Sequence, residues 1–264
     1  MFSVVHTFLY LNKMSNSEVT IVRIRNTERE KMVDIVASEE PISIKVNGKR
    51  IATLLATPAD LTELACGFLY SLGLIKVVEN ISSITKVGSE IEIIAELTKD
   101  FQPDEQVLTS GCGKGVIILG YLLGKIDSDL VISTEAITIL MDELQLKSAG
   151  YKTTGGVHSA GISDGKQILD FKEDIGRHNA IDKAIGSFLL KRLPLKDKII
   201  LTSGRITSEV VTKAVRAGMP ILISRSSPTD MAITLSEYSG LTLIGFARKK
   251  RMNLYAHAER VVYT

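Results

Sequence analysis

The feature that most constrains the fold is the spacing of short apolar runs in the second half of the chain. Residues 198–202, 221–224 and 241–246 are apolar strands of four to six residues, separated by helical patterns at 177–191, 208–217 and 231–238. Strands this short and this uniformly apolar are buried on both faces, and parallel neighbours need crossover helices to connect them. The expected architecture is α/β, with helices packed on both faces of a parallel sheet. Upstream, a strand hairpin is expected around Asp164-Gly165, preceded by a helix over 135–149 that Thr134 caps and Gly150 ends.

The first hundred residues read differently. Residues 19–24 and 42–55 are strand-like, and Asn47-Gly48 supplies the left-handed turn residues of a two-residue hairpin. Thr57-Pro58-Ala59-Asp60 places a hydroxyl cap, a first-turn proline and an acid ahead of Leu61, Leu64, Phe68 and Leu72, which predicts a helix stopping near Gly73. A second hairpin turns at Gly88-Ser89 between 81–87 and 91–97. The division expected is an N-terminal extension at 1–18, a small α+β domain at 19–108, a glycine-rich loop and connection at 109–133, and an α/β domain at 134–264. Residues 1–13 read as an extension upstream of a more ordinary polar start at Met14. The apolar opening lacks a basic leader and a small-residue cleavage site, and no apolar run reaches the roughly 20 residues that span a bilayer.

Two cysteines, Cys66 and Cys112, are too few for a disulfide framework or a four-thiolate zinc site, which fits a reducing, cytoplasmic setting. A net charge of +2 is too small for general polyanion binding, so no nucleic-acid or membrane partner is expected and any anion site must be local. Cys112 stands in Thr109-Ser110-Gly111-Cys112-Gly113-Lys114-Gly115. Exposure between glycines and a nearby lysine favour the thiolate, the form that accepts and releases sulfur; the plain alternative is a reduced cysteine in a turn. Cys66, between Ala65 and Gly67 on the expected helix, reads as a small buried hydrophobe.

Polar groups concentrate in three places. Gly155-Gly156-Val157-His158 precedes a hairpin, and Glu173-Asp174-Ile175-Gly176-Arg177-His178-Asn179 opens a helix whose free amides, with Arg177, suit an anion. His178 and Asp182 share a helix face, so the carboxylate is a candidate to orient the imidazole; the alternative for Asp182 and Lys183 is a surface ion pair. Ser203-Gly204-Arg205 and Ser224-Arg225-Ser226-Ser227 follow two strands, at the sheet end where ligands bind in open α/β folds, with Gly204 free to admit a phosphate or ribose. Arg248, Lys249, Lys250 and Arg251 follow the final strand, as a solvated tail or a grip on pyrophosphate. Zinc-protease and phosphate-loop motifs are absent from the sequence.

These segments, with Ala65-Cys66-Gly67-Phe68-Leu69 and Gly245-Phe246-Ala247-Arg248, resemble the formate dehydrogenase accessory sulfurtransferases of the FdhD family over nearly all of residues 19–255. The resemblance implies a cytidine-deaminase-like three-layer α/β fold, usually a homodimer. The implied role is a sulfur carrier and not an enzyme with its own metabolite substrate. Such a carrier takes persulfide sulfur from a cysteine desulfurase and passes it to the molybdenum or tungsten bis-guanine-dinucleotide cofactor destined for formate dehydrogenase. By the same likeness Cys112 matches the persulfide-bearing position. Phe246, Ala247, Arg248, Lys249, Lys250 and Arg251 match the cofactor-contacting segment, and Gly156, His158, Arg177, His178, Ser203, Gly204 and Arg205 are candidates for the guanine nucleotide and phosphates. No resident metal is expected.

One departure stands out: many members carry Cys-x-x-Cys here, whereas the second position in this chain is Gly115. Two other readings stand beside the carrier. A cofactor chaperone would hold the guanine dinucleotide without moving sulfur. A nucleotide deaminase would need His-x-Glu and a downstream cysteine pair for zinc, but His158 is followed by Ser159 and Ala160.

Overall fold

The computed structural model describes residues 16–98 and 124–263. It opens with a two-stranded antiparallel ribbon, β1 (Asn16–Arg25) and β2 (Glu28–Ala37). The second of these strands is not legible in the sequence, because Glu28-Arg29-Glu30-Lys31 masks its alternation. Next come β3 (Glu40–Val46) and β4 (Lys49–Ala56), joined at Asn47 and Gly48 with φ of 50° and 80° as the hairpin reading requires.

Helix α1 (Leu61–Leu72) begins later than expected. Asp60 is its N-cap, at φ 52°, and no side chain caps it. Thr57 is diverted from capping: its hydroxyl accepts from Ile175 N at 3.2 Å, and its own N–H donates to Asp174 at 3.1 Å. Strands β5 (Ile81–Val87) and β6 (Glu90–Ala95) complete a sheet ordered β4–β3–β6–β5, in which β3 and β6 are parallel.

After β7 (Ile132–Ser133), helix α2 (Thr134–Lys147) is capped by Ser133, one residue before the expected Thr134, through Ala136 N at 3.1 Å. It ends at Ser148 rather than Gly150, and a short helix, α3 (Ala149–Thr154), follows at a new angle. Then come β8 (His158–Ser163), β9 (Ile168–Asp174), α4 (Arg177–Leu190), β10 (Ile199–Thr202), α5 (Ser208–Arg216), β11 (Ile221–Ser224), α6 (Asp230–Ser239), β12 (Thr242–Arg248), β13 (Arg251–Ala256) and β14 (Val261–Val262). The basic run is therefore no tail. Lys249 and Lys250, at φ 49° and 60°, form the two-residue turn between β12 and β13, and Arg248 pairs with Arg251. Two lysines carry none of the usual Asn-Gly signal for such a turn, which hid β13.

The central sheet is ordered β13–β12–β11–β10–β8–β9, with β10, β11 and β12 parallel. Ile199, Leu201, Ile221, Ile223 and Ile244 pack under Ile137, Leu140, Met141 and Leu144 of α2. The alternate residues Ile200, Leu222 and Leu243 join Ile181, Ile185 and Val211 on the other face. That second cluster runs on through Leu64 and Leu69 of α1 to Ile42, Ile44, Ile91 and Ile93 of the four-stranded sheet. The join is close because α1 and α4 cross at glycines: a Cβ on Gly67 would stand 1.8 Å from the Asp182 carbonyl oxygen, and one on Gly186 1.9 Å from that of Glu63. Among the described residues no helix is long and apolar enough to cross a membrane.

Candidate functional site

The parallel strands β10 and β11 end at Thr202 and Ser224, and the antiparallel β8 starts beside them, with Ser203 N donating to Ser159 O at 3.0 Å. His158 in turn pairs with Asp174, where β9 ends and α4 is about to begin. The polar segments 155–158, 173–179, 203–205 and 224–227 are thus gathered at one end of the sheet, the end at which open α/β folds bind ligands. A cleft of about 400 Å³ lies there between the α2–α3 elbow and the strand ends, lined by Gln145, Tyr151, Gly156, His158, Ser203 and Arg225, among others. Arg225 closes one wall because β11 delivers it there, and its N–H donates to Thr202 O at 3.1 Å.

His158 approaches Ser203 Oγ through Nδ1 at 3.3 Å. Burial, then the guanidinium groups of Arg177 and Arg205, hold its pKa below the ordinary value. Arg177 is half-buried, and its Nε has no hydrogen-bond partner among the described residues; burial and the neighbouring Arg205 both disfavour its charge. Arg205 is exposed. Arg177 and Arg205 bring two guanidinium groups to the start of α4, partly offset by Asp174 and Glu209, and among the described residues no side chain caps that N-terminus. An anion is the species that would complement these guanidinium groups.

His178 behaves differently from the sequence expectation. It is 6% exposed, and burial, with Lys213 and Arg177, drives its pKa down to about 2. The imidazole is neutral. Its Nδ1 lies 3.3 Å from Glu209 Oε1, yet among the described residues neither ring nitrogen makes a hydrogen bond. Asp182 does not orient it: that carboxylate accepts from Ser71 Oγ at 2.5 Å and pairs with Lys213 at 2.6 Å. Nor do Asp182 and Lys183 form a surface pair. Both are buried, and Lys183 reaches Asp174 at 2.5 Å and Thr57 O at 3.0 Å. Asp174 also accepts from Gly176 N and Asn179 Nδ2, so the start of α4 is tied to the segment before α1. Lys183→Met leaves this carboxylate without its cation and is expected to lower stability by about 3–5 kcal/mol in urea denaturation.

The space beside Gly204 is filled by Arg177, whose Cβ would stand 2.7 Å from an added Cβ, so this glycine admits the first residue of α4 against the strand end. Ala247 is 2% exposed and packs in the core beneath α2. Phe246, at φ 52°, donates its N–H to Ser226 O at 3.0 Å, which links the β12–β13 hairpin to the loop carrying Arg225. Arg248 and Arg251 stand 5.9 and 5.3 Å from the Phe246 ring centroid, an aromatic face flanked by cations. Lys249 and Lys250 are exposed at the tip.

Cys112, with Gly111, Gly113, Lys114 and Gly115, lies outside the described residues. Cys66 is fully buried on α1, and burial, with Glu63, pushes its thiol up to about 12. It is protonated and inert at neutral pH. Sequence reasoning gave no role to Gln145, Tyr151, Glu209 or Lys213, which no motif marks. Arg225 was legible only as part of a polar loop.

Fold and site together define an α/β protein with a cleft, lined by His158, Ser203 and Arg225, at the carboxyl ends of the parallel strands of a mixed sheet. The family model described as the FdhD/NarQ family matches residues 37–262, and the chain belongs to that family. A relative from Staphylococcus haemolyticus named sulfur carrier protein FdhD is 35% identical over 263 residues, covering 96% of this chain and 100% of that protein. One from Bacillus subtilis with the same name is 38% identical, over 93% of this chain and 99% of its own. A crystal structure of a protein from Desulfotalea psychrophila, described as a formate dehydrogenase accessory protein, superposes with a TM-score of 0.82 at 30% identity, over 94% of this chain and 99% of that one.

Proposed function

We propose that this protein is a sulfur carrier serving formate dehydrogenase. Cys112 takes persulfide sulfur from a cysteine desulfurase, and the sulfur passes to a molybdenum or tungsten bis-guanine-dinucleotide cofactor, the substrate, held at the carboxyl end of the central sheet. The names of its relatives support the carrier role. The observation that carries the nucleotide part is a cleft at the strand ends lined by His158, Ser203 and Arg225, with the Arg177 and Arg205 guanidinium groups near enough to His158 to lower its pKa. Arg177 and Arg205 supply charge for phosphate, Ser203 and the uncapped start of α4 supply neutral donors, and the β12–β13 hairpin extends the basic edge with Phe246 as a stacking surface. His178, neutral and buried, contributes no charge to that anion. The helices on both faces of the sheet fit a deaminase-like three-layer arrangement, and the cytoplasm and a homodimer fit the same reading.

Guanosine diphosphate is the simplest probe of this site. Calorimetric titration should detect its binding to the unmodified protein, weakened by about tenfold in Arg205→Ala, the loss of one charge-assisted phosphate contact. Absence of binding by the unmodified protein, or equal binding by the variant, would overturn the assignment of phosphates to this end of the sheet.

A further inference from the structure

Strand β9 ends in two adjacent carboxylates that serve opposite faces of the sheet. Asp174 turns to Lys183 and Thr57, toward α1 and α4. Glu173 turns the other way, to the α2–α3 elbow. One of its oxygens accepts from Ser148 Oγ at 2.8 Å and Tyr151 N at 3.2 Å; the other accepts from Gly150 N at 3.0 Å. Glu173 is 9% exposed, and among the described residues its side chain is held by these neutral donors alone.

The elbow exists because Ser148 leaves helical geometry, at φ −72° and ψ 71°, and the chain restarts as α3. Glu173 satisfies the first amides of that restarted helix, which otherwise lack acceptors. From this short helix and its C-terminal end, Tyr151, Gly155 and Gly156 line the cleft. A path leads from the same carboxylate into the cleft floor through hydrogen bonds on either side of Ser159, whose hydroxyl makes one link and whose backbone N–H makes the next. Ser148 Oγ bonds Ser159 Oγ, Ser159 N donates to Ser203 Oγ at 2.9 Å, and Ser203 Oγ faces His158 Nδ1 at 3.3 Å. Glu173 itself does not line the cleft, whereas Ser148, Ser159, Ser203 and His158 do.

We propose that Glu173 is the positioning residue of this cleft: it fixes the α2–α3 wall and, through Ser148, Ser159 and Ser203, the orientation of the His158 ring, without touching the bound molecule. The inference rests on the reading of the cleft as the nucleotide site for its functional consequence, but the positioning itself is a property of the free protein. Gln in place of Glu173 presents an amide donor where Gly150 N or the Ser148–Tyr151 pair requires an acceptor, so one set of bonds is lost without change of size. Ser159→Ala leaves all three bonds to Glu173 and removes only the link between Ser148 and the floor.

The test is nitrogen-15 histidine NMR on the free full chain, with the His158 signal identified by its loss in His158→Gln, followed by titration with guanosine diphosphate. A fixed ring holds one neutral tautomer. The expected result is a single His158 tautomer in the unmodified protein, a mixture in both Glu173→Gln and Ser159→Ala, and nucleotide affinity lowered by about tenfold in each. A His158 signal unchanged in a folded variant of either kind overturns the proposal. If Glu173→Gln does not fold, the Ser159→Ala spectrum decides. If His158 responds as expected while the unmodified protein binds no nucleotide, the positioning role stands and the nucleotide reading falls.

Discussion

Cys112→Ala is expected to abolish formate dehydrogenase activity in cells that depend on this protein, down to the level seen when the protein is absent, while leaving its thermal midpoint unchanged. Sulfur transfer needs a thiolate, and the chain holds two cysteines. Cys66 cannot substitute, because it is sealed in the α1 core with its thiol pushed up to about 12. Gly115, not a second cysteine, completes the Cys-x-x-Cys spacing after Cys112, so this loop offers no resolving thiol. Under the carrier reading Cys112 holds the persulfide alone and an external acceptor takes the sulfur, so a single substitution removes transfer entirely; the alternative is a member that has lost or altered this step. If Cys112→Ala supported the enzyme as well as the unmodified protein does, the chain would be a cofactor chaperone instead.

The second large effect is structural. Gly67→Ala is expected to destabilise the protein by about 3 kcal/mol or more, read as a lower urea midpoint with little change in slope. The new Cβ would fall 1.8 Å from a backbone oxygen of α4, and backbone cannot rotate aside as a side chain can. The helices must part, and with them the Ser71–Asp182 bond and the apolar contacts of Leu64 and Leu69 with α4 and the sheet. Gly186→Ala acts at the same crossing. The double variant should cost less than the two single effects together, since the first displacement already makes room for the second.

The elements legible in the sequence are those set by local chemistry. Residues 199–201 and 221–223 are apolar throughout because both faces are covered, and that pattern alone indicates a buried strand. Asn47-Gly48 reads as a turn because left-handed backbone is needed there and few residues accept it. The misreadings arise where a distant partner overrides local preference. Thr57 has every mark of a helix cap, but Asp174 and Ile175, more than a hundred residues away, engage it. Ser148 sits inside a plausible helix and breaks it because Glu173 and Ser159 bind its hydroxyl.

The candidate site divides in the same way. His158, Ser203 and Arg205 were legible because glycine and polar residues at strand ends have few structural uses. The burial of His178 and the pairing of Asp182 with Lys213 depend on α5 lying beside α4, and the loss of Ala247 to the core depends on α2 covering β12, neither of which any spacing in the sequence reveals.

Sulfur loading tests the carrier role most directly. The full chain is incubated with a cysteine desulfurase and cysteine, then weighed intact. The expected result is a gain of one sulfur atom that disappears in Cys112→Ser, with Cys66 untouched. No gain in the unmodified protein, or the same gain in Cys112→Ser, would contradict it.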